Sequence, residues 1–357
     1  MSAPQGDQAI VLITDLHRRI TGVSATIRNL VPLQSSQHNV RLWSRLPLAG
    51  HPRLSFWKVL KLLRRKPRNQ AFHIWHARRN NEMLWALLFK YLFRCPLRIV
   101  FTSAAIRRHS CWPRWLIRRM DAVIATSPRA AELVDNVTAV VGHGVDVDRF
   151  KAVMTRGQAL TKLNVPFERA IGQFGRVRPE KGSDYFVRAM IELLPDFPDY
   201  GALLVGKVQP RFVKFNEDLK NEVSKAGLQD RIVWLGEVPF CDIPAIYNAM
   251  DIVVAPSRYE GFGLTPIEAM ATGAPVVAAD TGAYKQMIDQ GETGYVFPVG
   301  DQPQFKAYVG ELMEDREKCD AMATACRHKV VSQFSIEKEA AGIAAVYETV
   351  WAKHVSK

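Results

Sequence analysis

Residues 251–280 read DIVVAPSRYEGFGLTPIEAMATGAPVVAAD, and this stretch decides the fold. An apolar run at 251–256 is followed by a glycine-containing loop, a helical pattern at 266–272 and a second apolar run at 274–280. Short valine-rich runs that alternate with helical patterns are typical of parallel β-sheets whose strands are joined by helices. The stretch therefore predicts one β–α–β unit of an α/β protein.

The same alternation continues on both sides of this unit. The further strands that it predicts lie at 9–14, 40–43, 71–75, 98–102, 122–126, 137–141, 170–174, 202–206 and 231–236. Residues 150–165 lack the alternation and resemble a connection. We therefore predict the α/β fold class, with two Rossmann-like, doubly wound domains, at 1–160 and 165–335, that face each other across a cleft. A closing helix at about 336–357 is expected to pack back on the first domain.

Composition limits the class of protein. The chain has 357 residues, of which 48% are hydrophobic and 23% charged, as in globular proteins. No apolar run approaches the roughly 20 residues that span a bilayer, and the first residues lack the layout of a signal peptide. The five cysteines show neither paired nor metal-ligand spacing. We therefore expect a cytoplasmic protein with reduced thiols and no metal site.

Positive charge is concentrated in the first domain. Residues 1–150 contain 24 Lys and Arg against 8 Asp and Glu, an excess of +16, whereas the remaining residues contain 24 against 27. A generally basic, solubilising surface would spread the excess over both domains. The concentration instead favours an anionic partner, either a polyanion or an anionic membrane surface.

The loop that opens the helix at 266–272 has the properties of a phosphate site. Gly261 and Gly263 allow backbone N–H groups to approach an anion, and they precede a helix amino terminus, which carries partial positive charge. Glu260 and Glu268 flank the loop, and since carboxylates repel phosphate, their expected ligands are sugar hydroxyls. For Glu268 a second interpretation stays open, because a glutamate in this position also caps a helix.

A second loop carries positive charge. Gly175 follows the strand predicted at 170–174, and Arg176 and Lys181 lie in the loop after that strand. Cations at the carboxyl end of a parallel strand are well placed to neutralise a diphosphate leaving group. Alone, the pair fits two solvated loop charges, but the glycine loop at the corresponding place in the same sheet favours the functional interpretation.

Together these segments resemble glycosyltransferase family 4, whose members are retaining enzymes of the GT-B fold. The resemblance rests on Glu260 and Glu268, which seven residues separate, on FGRVRPEKG at 174–182 and on HGVDVDRF at 143–150, and it covers nearly the whole chain. It implies a hexosyltransferase that binds a nucleotide sugar and needs neither a cofactor nor a metal. It also implies attack on the face from which the diphosphate leaves, with the diphosphate helping to deprotonate the acceptor.

The resemblance implies roles for individual residues. The catalytic residues would be Glu260, Arg176 and Lys181. The donor would be bound by Gly175, Arg176, Lys181, Glu260, Gly261, Phe262, Gly263, Leu264 and Glu268. The acceptor side of the cleft would include Gly22, Arg18, Arg19, Ser103 and His109. Within the donor set, Arg176 and Lys181 would hold the diphosphate, Glu268 the ribose, and Glu260 the hydroxyls of the transferred sugar.

Three arginine-rich segments of the first domain narrow the resemblance. HRRITGVSATI at 17–27, IWHARRNNEML at 74–84 and FTSAAIRRHSCWPRWLIRRMDAVIATS at 101–127 are similar to the lipopolysaccharide core mannosyltransferases of rhizobia and their relatives. This implies transfer of mannose from GDP-mannose to the inner-core Kdo of a lipid A precursor, at the inner face of the cytoplasmic membrane. Basic, aromatic-containing patches at 54–68 and 112–119 would contact that membrane, although each also fits a packed amphipathic helix.

Other interpretations stay open. A UDP-sugar-dependent enzyme of the same family that acts on another glycolipid or polysaccharide fits the motifs, as does a nucleotide-sugar epimerase with the same two domains. A nucleic-acid-binding protein is disfavoured because the first domain has no recognition-helix, RNP or zinc pattern. An inactive membrane scaffold is disfavoured because both glutamates and both cations are present.

The sequence departs from the family pattern at two places. Thr102 stands where many members have a histidine, so a catalytic base cannot be carried over, and His17, His76 and His109 are only candidates for that role. Lys285 and the glutamine that follows it replace a common proline–glutamate pair, which leaves the sugar contacts of that loop open.

Overall fold

The computed structural model describes residues 8–17, 22–48, 50–105 and 107–353. The chain forms two compact units. The first comprises Met1–Gly144 and Ile336–Lys357, and the second comprises Val145–Ser335. None of the helices in the described part of the chain is both long enough and apolar enough to cross a bilayer.

The division between the units lies upstream of the connection predicted at 150–165. Phe150 and Leu160 are buried in the core of the second unit. Residues 145–160, which we assigned to the first domain, therefore belong to the second. The segment that resembled a connection includes a helix with a complete capping box between Thr155 and Gln158, which fixes its start.

A sheet of six parallel strands forms the centre of the first unit. The strands are β1 (Val11–Asp15), β2 (Val40–Ser44), β3 (His73–Ala77), β4 (Leu97–Ser103), β5 (Ala122–Ala125) and β6 (Val137–Val140), in the order β2-β1-β3-β4-β5-β6. The helices between them are α1 (Gly22–Gln37), α2 (Phe56–Leu63), α3 (Asn80–Leu87) with a π-helical turn at Leu88–Leu92, α4 (Cys111–Ile117) and α5 (Pro128–Ala131).

The second unit repeats this plan. Its strands are β7 (Arg169–Phe174), β8 (Tyr200–Val205), β9 (Ile232–Gly236), β10 (Ile252–Ala255), β11 (Val276–Ala279) and β12 (Gly294–Phe297), all parallel and in the order β12-β11-β10-β7-β8-β9. Its helices are α6 (Arg156–Leu163), α7 (Ser183–Leu193), α8 (Val213–Lys225), α9 (Ile243–Asn248), α10 (Thr265–Ala271), α11 (Tyr284–Met287), α12 (Gln302–Glu314) and α13 (Arg316–Gln333). The last helix of the chain, α14 (Ile336–Ala352), belongs to the first unit.

Both faces of the first sheet are covered. In β3, Ile74 packs in a cluster with Ile27 of α1 and Tyr347 of α14. Trp75 points to the opposite face and packs in a cluster with Leu63 of α2. Because successive side chains of a strand point to opposite faces, apolar residues at both places bury both faces, as a parallel sheet with helices on each side requires.

Each sheet has one topological switch point. In the first sheet the chain leaves β1 for β2 on one side and continues with β3 on the other. In the second sheet β8 and β9 follow β7 on one side, whereas β10, β11 and β12 extend the other side. Ligands of doubly wound sheets bind at the carboxyl ends of the strands where the order reverses. The rule selects the loops after β1 and β3, and the loops after β7 and β10.

Candidate active site

The loops after β7 and β10 are fastened to each other in the second unit. The Arg258 backbone N–H donates to the Glu180 carbonyl oxygen at 3.0 Å, and its guanidinium donates to both carboxylate oxygens of Asp184 at 2.8 and 2.7 Å. Gly182 has a φ of +68°, and a Cβ there would lie 2.0 Å from the Pro256 carbonyl oxygen. Only glycine permits this approach, so the loops that carry the predicted site are held at a fixed separation.

Lys181 and Glu260 form an ion pair between these two loops. Their side chains are 18% and 19% exposed, so a ligand can reach both groups. The Gln173 side chain of β7 donates to the Lys181 carbonyl oxygen at 2.8 Å and so fixes the backbone of Lys181. The ammonium has three donors and the carboxylate has about four acceptor sites. Each group therefore keeps capacity for a ligand while the pair persists.

Arg176 lies in the same loop as Lys181 and is exposed. No side chain or backbone group of the described residues pairs with its guanidinium. Gly175 has a φ of +115°, and a Cβ there would contact the Lys181 Cε at 3.5 Å. Arg178, the third cation of this loop, pairs with Glu180 at 3.8 Å. The loop after β7 thus presents the paired Lys181 and the free Arg176 at the carboxyl end of the strand, as the sequence predicts for a diphosphate.

Glu268 accepts a hydrogen bond from the Tyr247 hydroxyl at 3.0 Å and is half-buried. Burial raises the pKa of Glu268, although the Tyr247 hydroxyl and the charges of Arg149 and Lys181 oppose that shift. The capping interpretation is wrong, because α10 has Leu264 as its N-cap and no side chain caps it. The Glu268 carboxylate is consequently available to a ligand on its second oxygen.

The glycine loop is packed against the loop after β11. Gly263 has a φ of +84°, and a Cβ there would lie 2.3 Å from Tyr284 Cε1 and 2.8 Å from Glu260 Cγ. The Gly261 N–H donates to the Glu260 carboxylate at 3.1 Å, and Phe262 is buried. Of the amides predicted to face the donor, that of Gly261 is therefore already bonded within the loop.

The loop after β11 makes hydrogen bonds to the backbone of Glu260 and of the glycine loop. The Glu260 N–H donates to the Thr281 hydroxyl at 3.2 Å, and the Ala283 N–H donates to the Phe262 carbonyl oxygen at 3.2 Å. Lys285 and Gln286, which replace the proline–glutamate pair of the family, are both exposed. The nearest acid to Lys285 is Asp280, at 3.9 Å.

The predicted acceptor residues lie in the first unit. Ser103 ends β4, and its hydroxyl lies 3.3 Å from His109 Nε2. Burial and the charge of Arg107 lower the pKa of His109. Gly22 begins α1, and no atom of the described residues lies within 4 Å of where its Cβ would be. Arg18 and Arg19 lie outside the described residues.

His76 is fully buried in β3 and reaches the place where the family histidine is missing. Its Nε2 lies 2.7 Å from the Thr102 hydroxyl, and its Nδ1 lies 2.6 Å from the Tyr347 hydroxyl of α14. Burial, with the charge of Arg78, lowers the pKa of His76 well below its ordinary value. The ring is thus a neutral link between two hydroxyls. His17, the third candidate, is exposed.

Two site residues escape the sequence prediction. Tyr247 lies in α9, and burial together with Glu268 raises its pKa well above the ordinary value. Arg149 stacks over the Phe240 ring at 3.7 Å, and its charge acts on Glu268. Arg149 falls inside the HGVDVDRF segment, which was a signal for it, whereas nothing in the local sequence marks Tyr247. In the described part of the chain, no three His, Cys, Asp or Glu side chains are placed to hold a metal ion.

Comparison with known proteins agrees with this geometry. Residues 163–329 match the family model "Glycosyl transferases group 1". The chain is 44% identical over 345 residues to the lipopolysaccharide core biosynthesis mannosyltransferase LpsB of Rhizobium meliloti (strain 1021), covering 95% of this chain and 97% of that protein. It is 42% identical over 346 residues to the lipopolysaccharide core biosynthesis mannosyltransferase LpcC of Rhizobium leguminosarum bv. viciae, covering 95% and 96%.

A solved structure establishes the fold independently. The crystal structure of Anabaena Alr3699/HepE in complex with UDP and glucose superposes with a TM-score of 0.76 over 96% of this chain and 100% of that chain, at 21% identity. The predicted α/β, GT-B fold with two Rossmann-like domains is confirmed. The matched family, the two close relatives and the site at the switch point lead to one conclusion: the chain belongs to the glycosyl transferases group 1 family and is a glycosyltransferase.

Proposed function

We propose that this enzyme transfers mannose, with retention, from GDP-mannose to the Kdo of a lipopolysaccharide inner core. The observation that carries the transfer chemistry is the Lys181–Glu260 ion pair beside the free Arg176 at the switch point of the second sheet. The choice of mannose and of the lipopolysaccharide core is supported by the similarity to LpsB and LpcC over nearly their whole length.

Arg176 and Lys181 bind the donor diphosphate in this proposal. Negative charge grows on the leaving diphosphate in the transition state, and cations fixed beforehand at that place stabilise it. Their loop is held by Gln173 and by the contacts of Gly182, so little reorganisation is needed. Loss of one such interaction costs about 3 kcal/mol, or roughly a hundredfold in rate.

The two glutamates bind hydroxyl groups of the donor. Glu260 accepts from the hydroxyls of mannose while Lys181 holds it in position, and Glu268 accepts from the ribose while Tyr247 holds one of its oxygens. A carboxylate that is fixed by a neighbour loses little side-chain entropy when the ligand binds. Neither glutamate acts as a nucleophile, because attack from the face of the leaving diphosphate retains the configuration without one.

The acceptor is carried on an anionic membrane surface in this proposal. The first unit exposes large aromatic side chains on α2, on the π-helical turn and on α4. They include Trp57 at 74%, Tyr91 at 63%, Trp112 at 53% and Trp115 at 43% exposure. Arg64, Arg65, Lys66 and Arg68 are exposed after α2. Aromatic rings beside cations are suited to the interface of an anionic bilayer.

Two residues of the predicted membrane patches are corrected by the structure. Leu60 and Leu116 are buried in the core of the first unit and cannot contact lipid. Trp112 and Trp115 stack on each other with ring centroids 5.2 Å apart, and Arg119 lies 3.7 Å over the Trp115 ring. The patches are therefore narrower than predicted and consist of the exposed rings with their neighbouring cations.

The donor is tested by thermal unfolding of the purified chain with GDP-, UDP- and ADP-sugars. GDP-mannose is expected to raise the Tm, since binding to the folded state alone stabilises it. Stabilisation by UDP-sugars only would refute the mannosyl assignment. Transfer is then measured with a synthetic Kdo-terminated lipid A acceptor. Consumption of GDP-mannose without a glycosylated product would refute the acceptor and leave the donor assignment standing.

A further inference from the structure

Arg78 and Arg79 lie at the switch point of the first sheet, on the loop after β3. Ala77, the last residue of β3, pairs with Phe101 of β4, so Arg78 is the first residue beyond the strand. The neighbouring loop at this switch point is the one after β1. The carboxyl ends of these strands are the place where a doubly wound sheet binds ligands.

The two arginines differ in their bonding. Arg79 donates to Asp15 at 2.8 Å and to Glu82 at 3.0 Å. Glu82 also accepts the backbone N–H of Arg78 at 2.8 Å and that of Leu16 at 3.4 Å, so it joins the two loops. The three guanidinium nitrogens of Arg78 are shielded from water, and no polar atom of the described residues bonds to them.

A shielded guanidinium without a partner is unfavourable, because it has lost its hydration and gained neither a hydrogen bond nor a counter-charge. The charge of Arg78 acts on His76 and Tyr347, but neither group supplies a hydrogen bond or a counter-charge to it. His76 is neutral and already engaged by Tyr347 and Thr102. Asp15 and Glu82 are engaged by Arg79. The fold therefore maintains a buried positive charge that the described acids leave unpaired.

We infer that Arg78 binds the carboxylate of the acceptor sugar and so makes the enzyme specific for an acidic acceptor. The planar guanidinium offers donors in a fork that matches the two oxygens of a carboxylate, and such paired, charge-assisted hydrogen bonds are strong and directional. The inference rests on the proposed function for the identity of the acid sugar. The unpaired cation at the switch point does not depend on it.

Two acceptors and two variants test this assignment. The acceptors are a synthetic Kdo-terminated lipid A analogue and the same compound with the Kdo carboxyl reduced to an alcohol. The wild type is expected to prefer the acid by about 10- to 100-fold in kcat/KM, the usual effect of a hydrogen bond to a charged group. Arg78→Met is expected to bring both acceptors to the same kcat/KM, and Arg78→Lys to restore part of the preference.

Arg79→Met is the matched control. It removes the partner of Asp15 and Glu82, so it is expected to lower the Tm and to leave the preference for the acid acceptor intact. Arg78→Met removes an unpaired buried charge and is expected to leave the Tm unchanged or raise it. A lowered Tm for Arg78→Met together with a retained preference would overturn the inference, because it would show that Arg78 is structural.

The remaining outcomes separate this inference from the proposed function. If the wild type transfers no mannose, the methyl glycoside of Kdo is added alone. A rise in Tm for the wild type that Arg78→Met abolishes supports the site, and equal shifts or none in both proteins overturn it. If Arg78→Met loses its response to GDP but keeps the preference for the acid, Arg78 holds the donor diphosphate and the inference is overturned.

Discussion

At the scale of single residues, the site depends on charges that hold each other in place. Lys181 and Glu260 illustrate this, because each holds the charged group of the other between two loops while both stay within reach of a ligand. The main effect of the pair is to fix the position of both charged groups. Substitutions here are therefore expected to separate activity from stability.

Glu260→Gln and Lys181→Met are each expected to lower kcat by roughly a hundredfold, since each removes one fixed group from the donor site. The Tm should fall by only a few °C, because the group that is left without its partner keeps some contact with water. Lys306→Met is the control, because Lys306 pairs with Glu192 on the surface and should keep full activity. Unchanged transfer by Glu260→Gln would remove Glu260 from the site.

Glu268→Gln is expected to weaken donor binding while it stabilises the fold at neutral pH. Burial raises the pKa of Glu268, so the folded state holds this proton more tightly than the unfolded state does. Stability from this group is present at low pH and is lost as pH rises through the folded pKa. The Tm advantage of the variant should therefore grow from about pH 4.5 upward, as thermal unfolding at several pH values will measure. An advantage that shrinks with rising pH would contradict the assignment.

Tyr347→Phe is expected to destabilise the first unit by about 1–3 kcal/mol. The variant leaves His76 Nδ1 buried without its partner at 2.6 Å and also removes the partner of Gln34. Urea unfolding will measure the loss. Tyr308→Phe is the control, because the hydroxyl of Tyr308 takes part in an exposed hydrogen bond with Gln290. Equal stability of the two variants would show that the His76 link contributes nothing.

At the scale of elements, the sequence predicted secondary structure well where strands are rich in valine and isoleucine and where loops contain glycine. The strand predicted at 98–102 is β4, and the helix predicted at 266–272 is α10, one residue early. The strand β12 was not predicted, because it begins with a glycine, at φ +146°, and glycine is uncommon inside a strand. It forms only through its pairing with β11, where a Cβ on Gly294 would lie 2.0 Å from the Val276 carbonyl oxygen.

The residues of the candidate site also divide into those that the local sequence predicts and those that it does not. Glu260, Arg176 and Lys181 lie in two loops that glycines mark, and Glu268 lies in the first turn of the helix that follows one of these loops, so the local sequence was sufficient to predict these four candidates. Tyr247 and Arg78 become visible only in three dimensions. Tyr247 joins the candidate site because α9 brings its hydroxyl to Glu268. Arg78 differs from Arg79 in that its guanidinium has no bonding partner among the described residues, whereas Arg79 pairs with Asp15. This difference depends on the tertiary structure and cannot be seen in the local sequence.

The exposed aromatic rings of α2 and α4 are expected to insert into the membrane interface. The double substitution Trp57→Ser with Trp112→Ser should reduce binding to anionic vesicles several-fold, because it removes two exposed aromatic anchors. Its Tm and its response to GDP-mannose should match the wild type. Val331→Ser, which removes an exposed apolar side chain in α13, is the control. Equal vesicle binding by both variants would refute the aromatic contact.

At the scale of the whole molecule, charge is divided between the two halves of the chain. The +16 excess of residues 1–150 predicts binding to anionic vesicles that weakens as salt rises, since screening shortens the range of each charge. Sedimentation with vesicles that contain anionic lipid, at about 50 and about 500 mM salt, will measure it. Neutral vesicles are the control. Binding that ignores both salt and lipid charge would contradict an electrostatic attachment.

The path of the chain between the units determines the order in which the enzyme is assembled. The second unit is one continuous stretch, Val145–Ser335, and its two ends lie side by side, with the Val145 N–H donating to the Phe334 carbonyl oxygen at 2.9 Å. The first unit lacks part of its core until α14 has been synthesised, because Tyr347 and Trp351 of that helix belong to the core. On the ribosome the half that we propose to bind the sugar nucleotide is therefore finished first. The half that we expect to meet the membrane closes only after α14 has followed the second unit.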